Sequence, residues 1–253
     1  MDPDDSITAN DDRVTFVLTS CGRPDLLRQT LDSFVAHNTH PIARYILIED
    51  SGDEETHDFI QQRYGDLLDR IIFNEPRLGQ IRSIDRAYAE VDTPYIFHCE
   101  DDFEFFRPGF IEESLSVLRF DPAVVTVWLR HLWDCKRHKI GPRIQYTEDG
   151  VMYRPVLPKV SHGETWHGFT FNPGLRRTAD YRRIEPFDAI GHELQINYAY
   201  HELGYHGVVL EEGATAHIGH GRHVSDVSEP VYWRVRDYLR RRRRERREQR
   251  KAR

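Results

Sequence analysis

Short apolar runs and amphipathic segments alternate over the first hundred residues of the chain. The apolar runs are rich in β-branched residues and predict four strands, at residues 13–20, 44–49, 70–74 and 95–98. The segments between them have apolar residues at helical spacing and predict three helices, at residues 24–37, 54–64 and 80–90. This order predicts an α/β fold with a doubly wound, mostly parallel sheet and crossover helices.

The later part of the chain is less regular. A helix at 109–118 and a strand at 124–129 continue the alternation. Residues 131–175 are rich in His, Trp, Tyr, Gly and Pro without clear periodicity, which predicts loops and short antiparallel strands that carry specificity. We expect three further elements, a helix near 192–203, a strand at 207–210 and a His-rich loop at 217–223.

Composition is that of an ordinary globular protein. The 253 residues are 39% hydrophobic, and no apolar run approaches the length of a membrane span. Residues 1–12 carry five aspartates and no basic apolar leader, which predicts a disordered acidic tail and a cytoplasmic protein. Three cysteines at unrelated spacings support neither a disulfide framework nor a zinc ribbon.

Charge is distributed unevenly along the chain. From Val231 onward there are twelve Arg and Lys against three acids, a net charge of +9, which leaves −16 for residues 1–230. We therefore divide the chain into a single domain at 13–229 and a basic extension at 230–253, either helical or disordered. Residues 234–253 predict an electrostatic contact with nucleic acid or an anionic surface, and a simple solvated charge run explains them equally well.

An acidic triplet, Glu100-Asp101-Asp102, follows the fourth predicted strand. Taken alone, such a triplet is more often an acidic turn on a solvated edge. However, polar residues also lie at or just after the ends of the first three strands, namely Thr19, Ser20 and Arg23, then Glu49 and Asp50, then Arg77 and Gly79. Because the carboxyl ends of parallel strands meet at one rim of a doubly wound sheet, these side chains are expected to share a ligand crevice. Hard carboxylate oxygens there suit Mg²⁺ or Mn²⁺ carrying a phosphorylated substrate.

Four segments in order carry a resemblance to a known family: RVTFVLTSCGRPDLLRQTLDSF, YILIEDSGD, NEPRLGQIRSIDRAY and TPYIFHCEDDFEFFRPGFIEESL. Together they resemble the nucleotide-binding half of family 2-like, nucleotide-sugar glycosyltransferases with the GT-A fold. The similarity covers about Arg13 to Leu118 and extends more loosely to about His223. It implies a GT-A-like (nucleotide-diphospho-sugar transferase) domain with a nucleotide-binding half at 13–118 and an acceptor-binding half at 119–229.

The resemblance also implies roles for single residues on the donor side. Thr19, Ser20 and Arg23 would lie against the nucleotide, and Asp50 would contact the base. Gly79 and Arg82 would lie beside the diphosphate. The acidic triplet occupies the Asp-x-Asp place, with Glu100 where the family has Asp, and this departure leaves open which of the three acids binds the metal. Asp102 is the first choice as the ligand, Glu100 is a second candidate, and Asp101 is assigned to donor binding.

Two further residues are implied on the acceptor side. In Ile190-Gly191-His192-Glu193-Leu194, Glu193 stands in the place of the family's acidic motif and is the candidate general base. An equal alternative is that Glu193 has only a structural role, as an acid that the helix dipole stabilises at the N-terminus. His217 best matches a late-loop histidine that joins the metal, and an imidazole ligand suits Mn²⁺ better than Mg²⁺. An ordinary loop histidine is the alternative.

The sequence thus predicts a metal-dependent glycosyltransferase for hexosyl or related transfer, with inversion. It would use a nucleoside-diphosphate sugar donor and a hydroxyl acceptor, which is left open among a glycan, a small molecule and a modified DNA base. Two alternatives from other classes remain. A nucleotidyltransferase would have the same kind of sheet and acidic residues, but the glycine-rich loop expected after its first strand is absent from this sequence. A non-catalytic nucleic-acid-binding protein would depend on the basic extension alone.

Overall fold

The computed structural model describes residues 11–135, 138–161, 164–222 and 224. The predictions for most of the acidic tail and for the basic extension, including the contact through residues 234–253, fall outside these residues. Within the described part of the chain, no helix is both long and apolar enough to cross a membrane.

The described part of the chain contains fourteen strands, seven α-helices and a short 3-10 helix at Leu132–Cys135. The strands are β1 (Val14–Ser20), β2 (Ile42–Glu49), β3 (Arg70–Phe73), β4 (Tyr95–Glu100), β5 (Phe103–Phe105), β6 (Val124–Trp128), β7 (Lys139–Ile140), β8 (Gln145–Tyr146), β9 (Met152–Leu157), β10 (Lys159–Ser161), β11 (Glu164–Trp166), β12 (Gly174–Arg177), β13 (His206–Leu210) and β14 (Thr215–His217). The helices are α1 (Pro24–His37), α2 (Glu54–Tyr64), α3 (Gln80–Tyr88), α4 (Phe110–Phe120), α5 (Thr178–Arg182), α6 (Phe187–Ile190) and α7 (Glu193–Glu202).

A five-stranded sheet with the order β12-β4-β1-β2-β3 forms the centre of the fold. Strands β1 to β4 are mutually parallel, and β12 joins the β4 edge antiparallel. The predicted α/β class with a mostly parallel, doubly wound sheet is therefore confirmed. Because β1, β2 and β4 run in the same direction, their carboxyl ends deliver Ser20, Glu49 and Glu100 to the same edge of the sheet.

Both faces of the central sheet are covered by apolar side chains. On one face, Phe16 and Phe97 of the sheet pack with Phe34 of α1. On the other face, Ile84 of α3 and Phe187 of α6 belong to a second buried cluster. Strands buried on both sides need continuous apolar runs, which explains why β1 and β4 lack the alternation of a half-exposed strand.

Local sequence signals determine where the helices at the ligand edge begin. Pro24 starts α1, where its missing N–H costs nothing. Asp53 caps α2, with its carboxylate accepting from the Thr56 amide at 3.0 Å. Gly79 precedes α3 with a φ of 89°, a conformation that disfavours residues with a Cβ.

A second group of strands extends the molecule beyond β12. Strands β6, β13, β9 and β7 form one sheet, with β8 paired to β9. Strand β14 pairs antiparallel with β5, so that His217 lies opposite Phe103. This short ribbon brings a residue from the end of the described chain beside the acidic turn that follows β4.

Candidate active site

A cleft of about 790 Å³ lies at the carboxyl edge of the central sheet. Its walls come from the ends of β1, β2 and β4, the loop after β3, the first turns of α3 and α7, and the segment after β14. The lining residues are Thr19, Ser20, Cys21, Arg23, Asp50, Arg77, Gln80, Ile81, Ser83, Glu100, Asp101, Asp102, His192, Glu193, His217, Gly219, His220, Gly221 and Val224. Nine of the eleven predicted site residues therefore line one cleft; the exceptions are Gly79 and Arg82.

Asp101 is the buried centre of the acidic turn, with 1% of its surface exposed. Its Oδ2 accepts from the Ser20 hydroxyl at 3.0 Å and from Arg23 Nε at 3.3 Å, while Arg23 Nη2 donates to Oδ1. Burial raises the pKa of Asp101 to about 6 in spite of the Arg23 charge. These contacts tie the end of β1 to the end of β4, so Asp101 and Arg23 fix the shape of this wall of the cleft.

Asp102 and His217 form a pair at the next position of the turn. His217 Nε2 lies 3.4 Å from Asp102 Oδ2, and Arg23 Nη1 donates to the same oxygen at 2.9 Å. Burial disfavours the ionised form of Asp102, but the hydrogen bonds from His217 and Arg23 outweigh it and lower the pKa of the carboxyl. A Cβ at Gly219 would lie 2.4 Å from Asp102 Oδ2, so the chain after β14 can pass this close only because residue 219 is glycine.

This pair has donor atoms that fit a divalent metal ion. A carboxylate oxygen and an imidazole nitrogen are suited to Mn²⁺, and metal ions on phosphate substrates commonly use only one or two protein ligands. In the part of the chain that the structure describes, no three His, Cys, Asp or Glu side chains are grouped as a ready-made metal site. A divalent ion held by Asp102 and His217 would therefore need a phosphate ligand and water to complete its coordination.

Glu100, the first acid of the triplet, faces a different neighbour. Its Oε1 accepts from Gln80 Nε2 at 2.7 Å. Burial, followed by the nearby charges of Asp102 and Glu193, raises the pKa of Glu100 well above its usual range. Glu100 thus connects the acidic turn to the first turn of α3.

Asp50 organises the loop between β3 and α3. Its Oδ1 accepts from the Leu78 amide at 2.7 Å and from Asn74 Nδ2 at 2.8 Å, and its Oδ2 accepts from the Gly79 amide at 2.9 Å. Arg77 Nε donates to the Asp50 carbonyl at 3.0 Å. Asp50 therefore shapes the loop that carries Arg77 into the cleft, and Gly79 contributes to that loop through its backbone.

Arg82 lies outside the cleft lining. Its side chain is 61% exposed, and its Nε donates to Asp188 on α6 at 2.9 Å. Arg77, which follows β3, instead reaches the wall where a diphosphate contact was expected.

Glu193 lines the same cleft as the acidic turn but comes from a different element. It is the first residue of α7, behind the N-cap His192, and it is half-buried. The Thr170 hydroxyl and the Phe171 backbone N–H lie beside its carboxylate and favour the ionised form. Burial outweighs their effect and raises the pKa of Glu193 to about 7. A carboxyl group with this acidity can accept a proton near neutral pH.

Several residues that line the cleft were not predicted from the sequence. Gln80 and Ser83 lie on α3 rather than at a strand end, so a rule based on strand ends could not find them. His220 and Val224 reach the cleft only because the chain crosses it after β14. The clustered histidines at 217–223 were the available signal for that crossing.

The model of the family described as glycosyl transferase family 2 matches residues 15–183, which is more than half of the chain. The chain belongs to this family. The predicted family resemblance is thereby confirmed. No curated protein matches this family 2 chain by sequence.

Solved GT-A glycosyltransferases share the fold of this family 2 protein. The mannosyltransferase PcManGT from Pyrobaculum calidifontis, solved with GDP-Man and Mn²⁺, has a TM-score of 0.56 at 13% identity, over 79% of this chain and 55% of its own. GalNAc-T7, solved with UDP, GalNAc and Mn²⁺, has a TM-score of 0.57 at 12% identity, over 81% and 43%. TarS (residues 1–349) from S. aureus has a TM-score of 0.50 at 13% identity, over 80% and 59%. The chain thus spans about half the length of these structures, and the GT-A fold is confirmed.

Proposed function

We propose that this family 2 protein is a metal-dependent glycosyltransferase. It transfers a sugar from a nucleoside diphosphate to an acceptor hydroxyl, with inversion at the anomeric carbon. The proposal rests on one observation, which is that two kinds of chemical group line the same cleft. Asp102 and His217 supply metal-ligand atoms on one wall, and Glu193 supplies a base on another.

The donor nucleotide is assigned to the wall made by the ends of β1, β2 and β3. Thr19, Ser20 and Asp50 line the cleft here. Thr19 and Ser20 would contact the nucleoside, and Asp50 would contact its base. Arg77 and Arg23 bring positive charge to the same wall, which favours a diphosphate. Arg82 is the weakest of the predicted donor contacts, since its side chain pairs with Asp188 outside the lining.

Asp102 and His217 would hold the metal ion, with Glu100 as a further candidate ligand. When bound, the ion neutralises charge on the diphosphate leaving group. Mn²⁺ is the first candidate because the pair includes an imidazole, and Mg²⁺ is the second. Two similar structures were solved with Mn²⁺, which agrees with this choice.

Glu193 would act on the acceptor. Its carboxylate takes the proton from the attacking hydroxyl as the new bond forms between the acceptor oxygen and the anomeric carbon, while the bond from that carbon to the diphosphate oxygen breaks. The base and the leaving group lie on different walls of the cleft, and attack opposite the leaving group inverts the anomeric configuration. The acceptor stays open among a glycan, a small molecule and a modified DNA base.

A donor panel tests the proposal directly. The full chain is incubated with a set of nucleoside-diphosphate sugars and Mn²⁺, and free nucleoside diphosphate is measured with and without candidate acceptors. We expect slow release from at least one donor and faster release with the correct acceptor. A parallel incubation replaces the donors with nucleoside triphosphates and sugar 1-phosphates, and release of pyrophosphate there would instead indicate a nucleotidyltransferase. Tight DNA binding with no turnover of any donor would indicate the non-catalytic alternative.

A further inference from the structure

Arg176 is an arginine enclosed in the protein interior. It lies on β12, the antiparallel edge strand of the central sheet, and only 1% of its surface is exposed. Its Nη2 donates to the Thr170 carbonyl at 3.3 Å. Its Nε and Nη1 are buried and have no hydrogen-bond partner among the described residues. A guanidinium stays charged in a protein, so enclosing it with unused donors is costly and calls for a compensating role.

The guanidinium packs against the short segment Phe169–Phe171. It lies 5.4 Å from the ring centre of Phe169 and 5.7 Å from that of Phe171. The carbonyl that it binds belongs to Thr170, between the two rings. Arg176 therefore contacts all three residues of the 169–171 segment and restrains that segment from one side.

The same segment holds the proposed base from its other side. The Phe169 amide donates to Asn197 Oδ1 at 3.3 Å, which ties the segment to α7, the helix that begins with Glu193. The Thr170 hydroxyl and the Phe171 amide lie beside the Glu193 carboxylate and favour its ionised form. A continuous path thus leads from Arg176 through the 169–171 segment to the Glu193 carboxylate. Movement of the segment would displace both hydrogen-bond donors at once.

Charge gives a second connection between the two residues. Arg176 interacts electrostatically with Glu193 and with three further buried groups, Tyr88, His98 and Tyr200. The phenols and the imidazole are neutral when enclosed in this way, so the ionised Glu193 carboxylate is the partner among these four that can balance the guanidinium charge.

We propose that Arg176 is a positioning residue for Glu193, which it holds in place through the Phe169–Phe171 segment and balances in charge. Arg176 does not line the cleft and does not touch the substrates. The proposal rests on the proposed role of Glu193 as the base. It predicts that Arg176 affects the proton-transfer step and leaves donor binding alone.

A double-mutant cycle tests this connection. The steady-state constants for donor and acceptor are measured for the wild type, Arg176→Met, Glu193→Gln and the double variant. We expect Arg176→Met to lower kcat by roughly 10-fold to 100-fold while the donor KM stays within about 2-fold. In the Glu193→Gln background the same substitution should change kcat by less than about 2-fold, because the group that it positions is already gone. Arg176→Lys, which keeps the charge, should recover part of the loss.

Two more variants protect the test against a folding defect. Thr170→Val removes the hydroxyl that reaches Glu193 and keeps the side-chain shape, so it should lower kcat in part. This variant replaces Arg176→Met in the test if Arg176→Met does not fold. Arg183→Met is the matched control, since Arg183 also lies over an aromatic ring, that of Tyr205, but is exposed and away from the segment. It should leave kcat unchanged.

The outcomes separate this inference from the proposed function. If the wild type turns over a donor but the effects of Arg176→Met and Glu193→Gln simply multiply, Arg176 acts independently of Glu193 and the inference is wrong. An equal rise in donor KM would also overturn it. If the wild type turns over no donor at all, the proposed function itself fails.

Discussion

Glu193 lies in surroundings that alter its acid strength. Burial raises the pKa of its carboxyl to about 7, against the opposing effects of Thr170, Phe171 and Arg176. A general base is active in its deprotonated form, so its contribution is lost as the pH falls through that pKa and is complete above it. We expect kcat to rise with pH up to about 7 and then level off, as measured in a pH–rate profile with saturating donor.

Replacing the Glu193 carboxyl should remove the rise of kcat with pH. Glu193→Gln keeps the size of the side chain but cannot accept a proton, so transfer should fall by about 10²–10⁴-fold while donor affinity is preserved. Glu202→Gln is the matched control, because Glu202 is an exposed glutamate at the other end of the same helix. Near-normal turnover of Glu193→Gln would rule out the base assignment.

Single residues differ in how far the sequence could reveal their roles. Asp102 and Ser20 could be placed in one cleft because both lie at strand ends, and strand order was readable from apolar periodicity. Their side-chain partners could not be read in this way. Arg23 was expected against a nucleotide, yet its guanidinium binds Asp101 and Asp102. Such pairings depend on side-chain directions at the ends of separate strands, which no local pattern specifies.

The contact between α3 and α6 joins the predicted nucleotide-binding half of the chain to the predicted acceptor-binding half. Asp85 on α3 accepts from the Phe187 amide at 2.9 Å, the Asp188 amide at 2.8 Å and the Tyr181 hydroxyl at 2.9 Å. It satisfies the first amides of α6, shortly before α7 begins with Glu193. Arg82 joins the same two helices by an exposed ion pair with Asp188.

These two connections should differ in strength. Asp85→Ala leaves the α6 amides and the Tyr181 hydroxyl without this partner, and it should lower the free energy of unfolding by about 1–3 kcal/mol. Arg82→Ala removes an exposed ion pair and should cost about 0–1 kcal/mol. Urea denaturation of both variants measures the difference. Equal losses would show that Asp85 does not anchor α6.

Secondary structure was predictable where its signals are local. Helices α1 and α2 begin and end where the sequence predicted, because Pro24 and Asp53 mark their starts. The pairing of β12 with β4 and that of β14 with β5 were not predicted. Each joins segments far apart in the chain, and a three- or four-residue strand carries too few residues to show a period.

Over the whole molecule, the cleft concentrates acidic groups in a protein whose residues 1–230 already carry a net charge of −16. Glu100, Asp101 and Asp102 are consecutive, and Arg23 is the cation that contacts two of them. A divalent ion held by Asp102 and His217 would reduce the remaining repulsion, and a bound diphosphate would complete its coordination. Binding to the native state alone then stabilises the fold.

Thermal unfolding should report this linkage. A nucleoside diphosphate with Mn²⁺, at about 100 times its dissociation constant, should stabilise the protein by about 2.7 kcal/mol and raise the Tm by roughly 5–10 °C. Asp102→Asn should remove most of that shift, because the amide is a poor replacement for the anionic ligand. The comparison concerns the shift and not the Tm itself, since Asp102 also contacts Arg23. Asp58→Asn, an exposed acid on α2, is the control and should keep the full shift. A shift that survives in Asp102→Asn would place the metal on other ligands.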